Sequence, residues 1–442
     1  MLGAEQVNWL NRLDAEQDNF RAALTWAMET TAEKGLHLTE RLSKFWVWRG
    51  YWLEAREWFT KMLALPAASS PTAARAELLL EAFNTPFYRG DLAQSKAMLE
   101  ESLVIWRKLG DKSGIAKALY GLGELALSRS DIDVAEQSYR EGLTLCRGQG
   151  DRQGTCRSLI GLGNVTAAKG DWLKATDLFQ ESLAIFRELG HKENTFEHGD
   201  ENPTHELGFV AESQGDFARA QEFYEEGLTL ERELGSTHHI SWALRILGAL
   251  LCRQGDFGRA EVLYEESLTL VQSMKDKHCT AHSLIGLARV AQQVGDDQRA
   301  VELTEEALPL CEQIDSKTRI SEAQQILGGA DKRRDSERAT DLLKSSLRLG
   351  QELGLRRGTA QTLQALGSVY LLGGKGERAV RFYAMADAMR EVISFPMTPW
   401  ELAAREKELS IARAQLGEAE FNAAWEEGRK LTLDQAIEGA QK

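Results

Sequence analysis

Proline is scarce in this chain, with 7 among 442 residues. So few helix breakers, together with 43% hydrophobic and 27% charged residues, suit continuous helical folding and argue against disorder. Basic residues are in deficit as well. The formal net charge of −14 excludes a general affinity for nucleic acid or anionic lipid, since both need a surplus of Lys and Arg on one face. No apolar run approaches the roughly 18 residues that span a bilayer, and residues 1–20 carry scattered charge where a signal peptide would have its apolar core. The expected location is the cytoplasm, with neither membrane nor nucleic acid as a direct partner. The five cysteines, Cys146, Cys156, Cys252, Cys279 and Cys311, form no CxxC pair and are expected to be reduced packing residues rather than metal or redox ligands.

What the chain does have is a recurrence. Arg89-Gly90-Asp91-Leu92, Lys169-Gly170-Asp171-Trp172, Gln214-Gly215-Asp216-Phe217, Gln254-Gly255-Asp256-Phe257 and Val294-Gly295-Asp296 follow one another at multiples of about forty residues, a period that implies stacked helical hairpins. Gly is expected to end the first helix of each hairpin with positive φ, and Asp to cap the second. Other residues recur at fixed offsets: Gly123, Ala135 and Tyr139; Gly163, Ala175 and Phe179; Gly208, Ala220 and Tyr224; Gly248, Ala260 and Tyr264; Gly367, Ala379 and Tyr383. Small residues let paired helices approach closely while the aromatic fills the space between hairpins.

From Thr72 to Met389 this pattern resembles the tetratricopeptide repeat, whose signature is Leu-Gly in the first helix and Ala with an aromatic in the second. The unit here is about forty residues instead of the usual ~34, the excess being expected in the second helix, and the usual closing Pro is absent. The resemblance implies an all-α, right-handed superhelical solenoid of about nine hairpins, with a groove lined by the first helices. Two places depart from the pattern. Residues 191–206 lengthen one step and contain Gly199-Asp200 and Asn202-Pro203, so a shortened helix behind an exposed loop is expected. Lys332-Arg333-Arg334-Asp335 replaces a Gly-Asp turn, and imperfect stacking is expected there.

The expected organisation is a tryptophan-rich helical junction and first hairpin over 1–71, the repeat array over 72–392 and a helical cap over 393–442. Trp9, Trp26, Trp46, Trp48, Trp52 and Trp58 all precede residue 60, as core of the first hairpins or as a docking face. Thr398-Pro399 opens a helix near the other end.

Both termini carry a second resemblance. Leu13-Asp14-Ala15-Glu16-Gln17-Asp18-Asn19-Phe20, Phe45-Trp46 and Arg49-Gly50-Tyr51-Trp52-Leu53-Glu54 are similar to the junction that joins the nucleotide-binding module to helical repeats in bacterial signal-transducing ATPases of the LuxR-like and maltose-regulator type. Leu416-Gly417-Glu418-Ala419-Glu420-Phe421 and Ala424-Trp425 resemble the closing segment of that family. The resemblance implies a sensor arm that takes up an inducer or protein partner and signals to an ATPase module at its N-terminal end. The motor itself is not in the sequence, where no GxxxxGK[ST] occurs and Gly373-Gly374-Lys375-Gly376 lacks both spacing and hydroxyl. The alternative is a stand-alone scaffold for protein assembly.

Counted from each Leu-Gly, the groove-facing ligand-binding candidates are Lys117, Tyr120, Arg157, Asn164, His205, Trp242, Arg245, His282, Arg289 and Gln325. Lys and Arg interleaved with aromatics could hold a carboxylate-bearing peptide or a phosphorylated small molecule. These positions are nonetheless no richer in basic residues than the chain as a whole. His198, Asp200, Glu201 and His205 are metal-ligand types, but lack the tighter spacing of zinc sites and are expected to be a solvated loop. Paired carboxylates such as Glu100-Glu101, Glu225-Glu226 and Glu265-Glu266 recur in register, as a solvated helix face does and a unique general acid and base does not. No nucleophile elbow is present, and neither catalysis nor a cofactor is expected.

Overall fold

A computed structural model describes residues 6–49, 51–84, 91–129, 131–189, 202–235, 237–392, 397–432 and 435. All regular structure among them is helical. The chain divides into two compact units, one of Met1–Leu247 with Thr269–Asp276, the other of Gly248–Leu268 with Lys277–Lys442.

The first unit opens with α1 (Gln6–Ala15), α2 (Gln17–Thr30), α3 (Ala32–Trp48), α4 (Trp52–Leu63) and α5 (Ala73–Ala82). Their core is built on Leu10, Leu24, Phe45, Trp46, Trp58 and Met62, and Met274 packs into it. Trp46 and Trp58 thus belong to the core, whereas Trp9 and Trp26 are exposed. The side chains of Trp48 and Trp52 lie outside the described residues. Arg49 is fully buried, and its guanidinium donates to Asn11 Oδ1 at 2.6 Å and to the Met274 carbonyl, with Asp14 Oδ2 at 3.0 Å. Hairpins follow from α6 (Leu92–Leu109), α7 (Lys112–Ser128), α8 (Ile132–Gln149), α9 (Arg152–Ala168), α10 (Trp172–Leu189), α11 (Pro203–Ser213) and α12 (Phe217–Leu234). Then come α13 (Thr237–Gln254) and α14 (Phe257–Met274).

The Gly-Asp turns behave as their chemistry requires. Gly170, Gly215, Gly255 and Gly295 have φ of 83, 80, 84 and 83°, and Asp91, Asp216 and Asp296 accept from backbone N–H groups three residues on. The opposite ends of the α5–α6 and α7–α8 hairpins use the same device. Gly110 and Gly150 have φ of 71 and 70°, and Asp111 and Asp151 cap the following first helices through the N–H groups of Gly114 and Gly154. With both turns this short, the added length is shared between helices of 17 and 18 residues instead of falling on the second alone.

The glycine and aromatic offsets resolve into a clamp. An ideal Cβ on Gly123 would lie 2.6 Å from the Tyr139 ring, and one on Gly161, in the next first helix, 2.4 Å from the same ring. Tyr264 sits likewise between Gly248 and Gly286 in the second unit. One ring therefore fixes the spacing of two successive hairpins. At Gly163 a Cβ would come within 2.3 Å of buried Phe179, whereas Gly148 has open space around it. Gly163→Ala is expected to cost roughly 2 kcal/mol through overpacking. Gly148→Ala should add up to about 1 kcal/mol of stability by removing backbone freedom inside a helix. Urea denaturation of both variants would reveal the opposite signs, and equal effects would refute the clamp.

The second unit continues with α15 (Lys277–Val294), α16 (Asp297–Gln313), α17 (Lys317–Asp331), α18 (Ser336–Glu352), α19 (Arg356–Leu372) and α20 (Gly376–Val392). The Lys332–Asp335 turn does not disturb stacking. Asp335 caps α18 through the Arg338 N–H at 2.9 Å, Arg338 bonds buried Asp331 at 2.8 Å, and Gly328 lies against Leu343. Two more helices, α21 (Pro399–Leu416) and α22 (Glu418–Lys430), pack on α20 through Leu409, Ala412, Phe421 and Ala424. Thr398 and Glu401 form a capping box with Pro399 at the first helical position. Trp400 meets Phe257 edge-on at 5.4 Å.

Candidate functional site

Three successive first helices of the first unit, α5, α7 and α9, place equivalent side chains forty residues apart. Glu77, Lys117 and Arg157 form one row, Leu80, Tyr120 and Ile160 the next, and Asn84, Glu124 and Asn164 a third. Between these helices lies a cavity of about 280 Å³ that brings together three of the expected ligand-binding residues, Lys117, Tyr120 and Arg157. Ile160 is fully buried, and Asn164 lies a turn beyond the lining.

Sequence reasoning missed the wall from α5. Glu77, Leu80, Glu81 and Asn84 line the cavity, but the chain between the last two reads Ala82-Phe83 where Leu-Gly would mark a repeat. Subtracting forty from Lys117, Tyr120 and Glu124 would have found three of the four. Lys117 is exposed and donates to Glu77 Oε1 at 2.7 Å, while Tyr120 tilts against Tyr139 with ring centres 5.7 Å apart. Glu81 accepts from buried Ser43 at 3.0 Å, which holds its carboxylate at the inner wall. At the far side Asp151 serves both as helix cap and as lining residue. The lining carries four carboxylates, Glu77, Glu81, Glu124 and Asp151, against two cations, Lys117 and Arg157.

The other candidates of the first unit are placed differently. His205 is 4% exposed and packs edge-on against Trp242 at 4.3 Å, and Arg245, 9% exposed, donates Nε–H to the Ser241 carbonyl. Neither faces an open groove. The cause at His205 is local. Asn202 caps α11 and Pro203 takes its first position, so the helix begins late, with 11 residues. Gly227 on α12 has no side chain to keep the imidazole out: a Cβ there would lie 2.8 Å from His205 Nε2. The same pocket of polar atoms holds Glu231, which accepts from Asn202 Nδ2 at 3.0 Å and has His239 Nδ1 at 3.4 Å. Burial opposes ionisation of Glu231, but the contacts with His239 and Asn202 outweigh it and hold the carboxyl below its ordinary value. Burial lowers the His205 imidazole to about 4.

Of the metal-ligand types in the irregular segment, His198, Asp200 and Glu201 lie outside the described residues. In the second unit His282, Arg289 and Gln325 are half-buried, and the His282 ring lies 4.9 Å from that of His278. All five cysteines are buried, and burial pushes the thiols of Cys146 and Cys311 up to about 12.

The repeated carboxylate pairs prove to be more than a solvated face. Glu141, Glu181 and Glu226 pair with Arg107, Arg147 and Arg187 of the preceding repeats, and Glu101 pairs with Arg75 of its own hairpin. In the second unit Glu265 and Glu305 pair with Arg299 and Arg338 of the following repeats. Such exposed pairs contribute little each, at most about 1 kcal/mol, but they fix the order of neighbours.

A tetratricopeptide repeat family model matches residues 87–148, 200–273 and 240–313. The fold is tetratricopeptide-like. Solved structures share the fold. A Signal Transduction ATPase with Numerous Domains protein with a tetratricopeptide repeat sensor, from Pyrococcus horikoshii, superposes with a TM-score of 0.52 at 15% identity over 81% of this chain and 55% of that one. The present chain thus spans about half the length of that protein. The apo form of RapI gives 0.51 at 13% identity, covering 81% and 98% of the two chains. Aspartyl phosphate phosphatase F from Bacillus subtilis gives 0.51 at 9% identity, covering 83% and 96%. No curated protein matches in sequence. Among the described residues no helix is long and apolar enough to cross a membrane.

Proposed function

We propose that this tetratricopeptide-like chain is a recognition arm without chemistry of its own, which holds a segment of a protein partner against its first helices. We propose further that it acts as the sensor of a signalling ATPase. The observation that carries the first reading is the cavity uniting Lys117, Tyr120 and Arg157, since its walls come from three consecutive hairpins and its polar groups converge on one space. The second draws on the fold likeness to the Pyrococcus horikoshii protein, whose tetratricopeptide repeats are described as a sensor. A small-molecule inducer in the same place would serve the same signalling logic.

An array of overlapping peptides probed with the purified protein tests the binding reading. Discrete peptides should be retained, and the double variant Tyr120→Ala with Arg157→Ala, assayed well below its own melting temperature because Tyr120 also packs on Tyr139, should bind them at least about tenfold more weakly, a loss near 1.4 kcal/mol. Arg245→Ala, by contrast, should act on stability because that side chain is buried. Unchanged affinity in the double variant would remove the cavity from consideration.

A further inference from the structure

We propose that the junction of α20, α21 and α22 binds a compact monocarboxylate, held by the guanidinium of Arg390 with that of Arg405 beside it. The site belongs to the second unit and does not depend on the recognition reading above.

A buried charge without a partner is the first observation. Arg390, near the end of α20, is 6% exposed, and its Nε and Nη1 are buried atoms with no hydrogen-bond partner. Arginine cannot shed its proton to escape this, as a buried histidine or lysine does. An uncompensated charge in such a place is strongly destabilising, so the position calls for an anion. Burial is the main influence on the guanidinium and holds it below its ordinary value; the charge of Arg405 acts the same way, and Glu401 and Asp387 act against it.

The carboxylates nearby are already engaged. Both oxygens of Asp387 accept from Arg405, which is 3% exposed on α21 and has only its Nε without a partner. Glu401 accepts at Oε2 from the backbone N–H and the hydroxyl of Thr398, and its charge complements the positive N-terminal end of α21. Glu391 pairs with Arg429, and Glu408 accepts from Tyr383 and Ser368. None of the four bonds to Arg390.

Charge count selects the class of anion. Asp387 balances Arg405, which leaves the single positive charge of Arg390 for a monocarboxylate to neutralise. A phosphate dianion would leave an excess of negative charge beside Asp387. The planar guanidinium also presents its donors in a fork that fits the two oxygens of a carboxylate. The surroundings strengthen the contact, because the Arg405 guanidinium carbon lies 5.9 Å from the Tyr383 ring centre and 5.6 Å from that of Trp425, with Met397 Sδ 3.6 Å from its Nη1. Aromatic and thioether groups screen a charge less than water does.

The test compares the full chain with Arg390→Met by scanning calorimetry in sodium acetate, sodium phosphate and sodium chloride at equal ionic strength. Some salts stabilise proteins without any site, so the reading is the shift in the parent less the shift in the variant. In chloride, Arg390→Met is expected to melt at or above the parent, since an uncompensated buried charge has given way to an apolar chain. In acetate the parent should gain at least about 2 °C more than the variant, with no such excess in phosphate. Arg390→Lys keeps the charge without the planar fork and should gain less than the parent. A variant Arg390→Met that melts below the parent in chloride would show the guanidinium to be satisfied within the chain and would overturn the site, as would equal gains of parent and both variants in acetate. A larger excess in phosphate than in acetate would overturn the choice of a carboxylate.

Discussion

Arg49→Ala should unfold the first unit about 10 °C below the parent protein, the largest loss expected from any single side chain described above. The guanidinium is fully buried and is shared between Asn11, Asp14 and the Met274 carbonyl, so it ties α1 and α3 to the end of α14 within one unit. Truncating the guanidinium removes a fully buried charge from its carboxylate, amide and carbonyl partners at once, which costs about 3 kcal/mol even though Tyr51 and Lys275 still contact Asp14. Replacing both charges, as Arg49→Met with Asp14→Leu, should recover part of that loss, because apolar side chains of similar length refill the space and no carboxylate is left short of its principal partner. Scanning calorimetry would show both effects. An Arg49→Ala protein melting with the parent would mean that the contact is not made in solution.

A second large effect is expected from acid. The His205 imidazole, lowered by burial from 6.5 to about 4, stays neutral in the folded state under conditions where the unfolded chain takes up a proton. Its contribution to stability is complete above about pH 6.5 and declines as pH falls towards 4, by about 3 kcal/mol in all. Glu231 adds a loss of the same sign at lower pH, since its depressed carboxyl stabilises the fold above its ordinary 4.5 and is surrendered as the pH falls through the folded value. Neither ring nitrogen of His205 has a hydrogen-bond partner among the described residues. His205→Leu should therefore match or exceed the parent at pH 8 and show a flatter decline between pH 6.5 and 4. Denaturant midpoints across that range decide it. A variant that keeps the parent's slope would assign the acid sensitivity elsewhere.

The fold was legible because its rules are local and repeated. Glycines at turns, aspartates as caps and an aromatic sixteen residues after Gly123, Gly163, Gly208, Gly248 and Gly367 state their roles without reference to distant parts of the chain. The same regularity concealed the candidate site. Lys117, Tyr120 and Arg157 were visible in the repeating frame, but Glu77 and Glu81 stand in a helix whose signature is overwritten, so the charge of the wall was invisible until α5 was in place. His205 failed for the opposite reason. The frame put it in the groove, yet a late helix start at Pro203 and a missing side chain at Gly227 drew it into the interior. Burial set by a neighbour's absence leaves no mark at the residue itself.

The shared ring between Gly123 and Gly161 also bears on how such a molecule grows. Half of the socket for Tyr139 is encoded before the ring and half after it, so a duplication or deletion that cuts between them strands an aromatic beside a side chain it cannot pass. Only whole cassettes, spliced from one socket to the equivalent socket in the next copy, conserve every fit. Recombination at that step should be the tolerated route by which arrays of this kind gain or lose length, and point drift at the paired glycines the forbidden one.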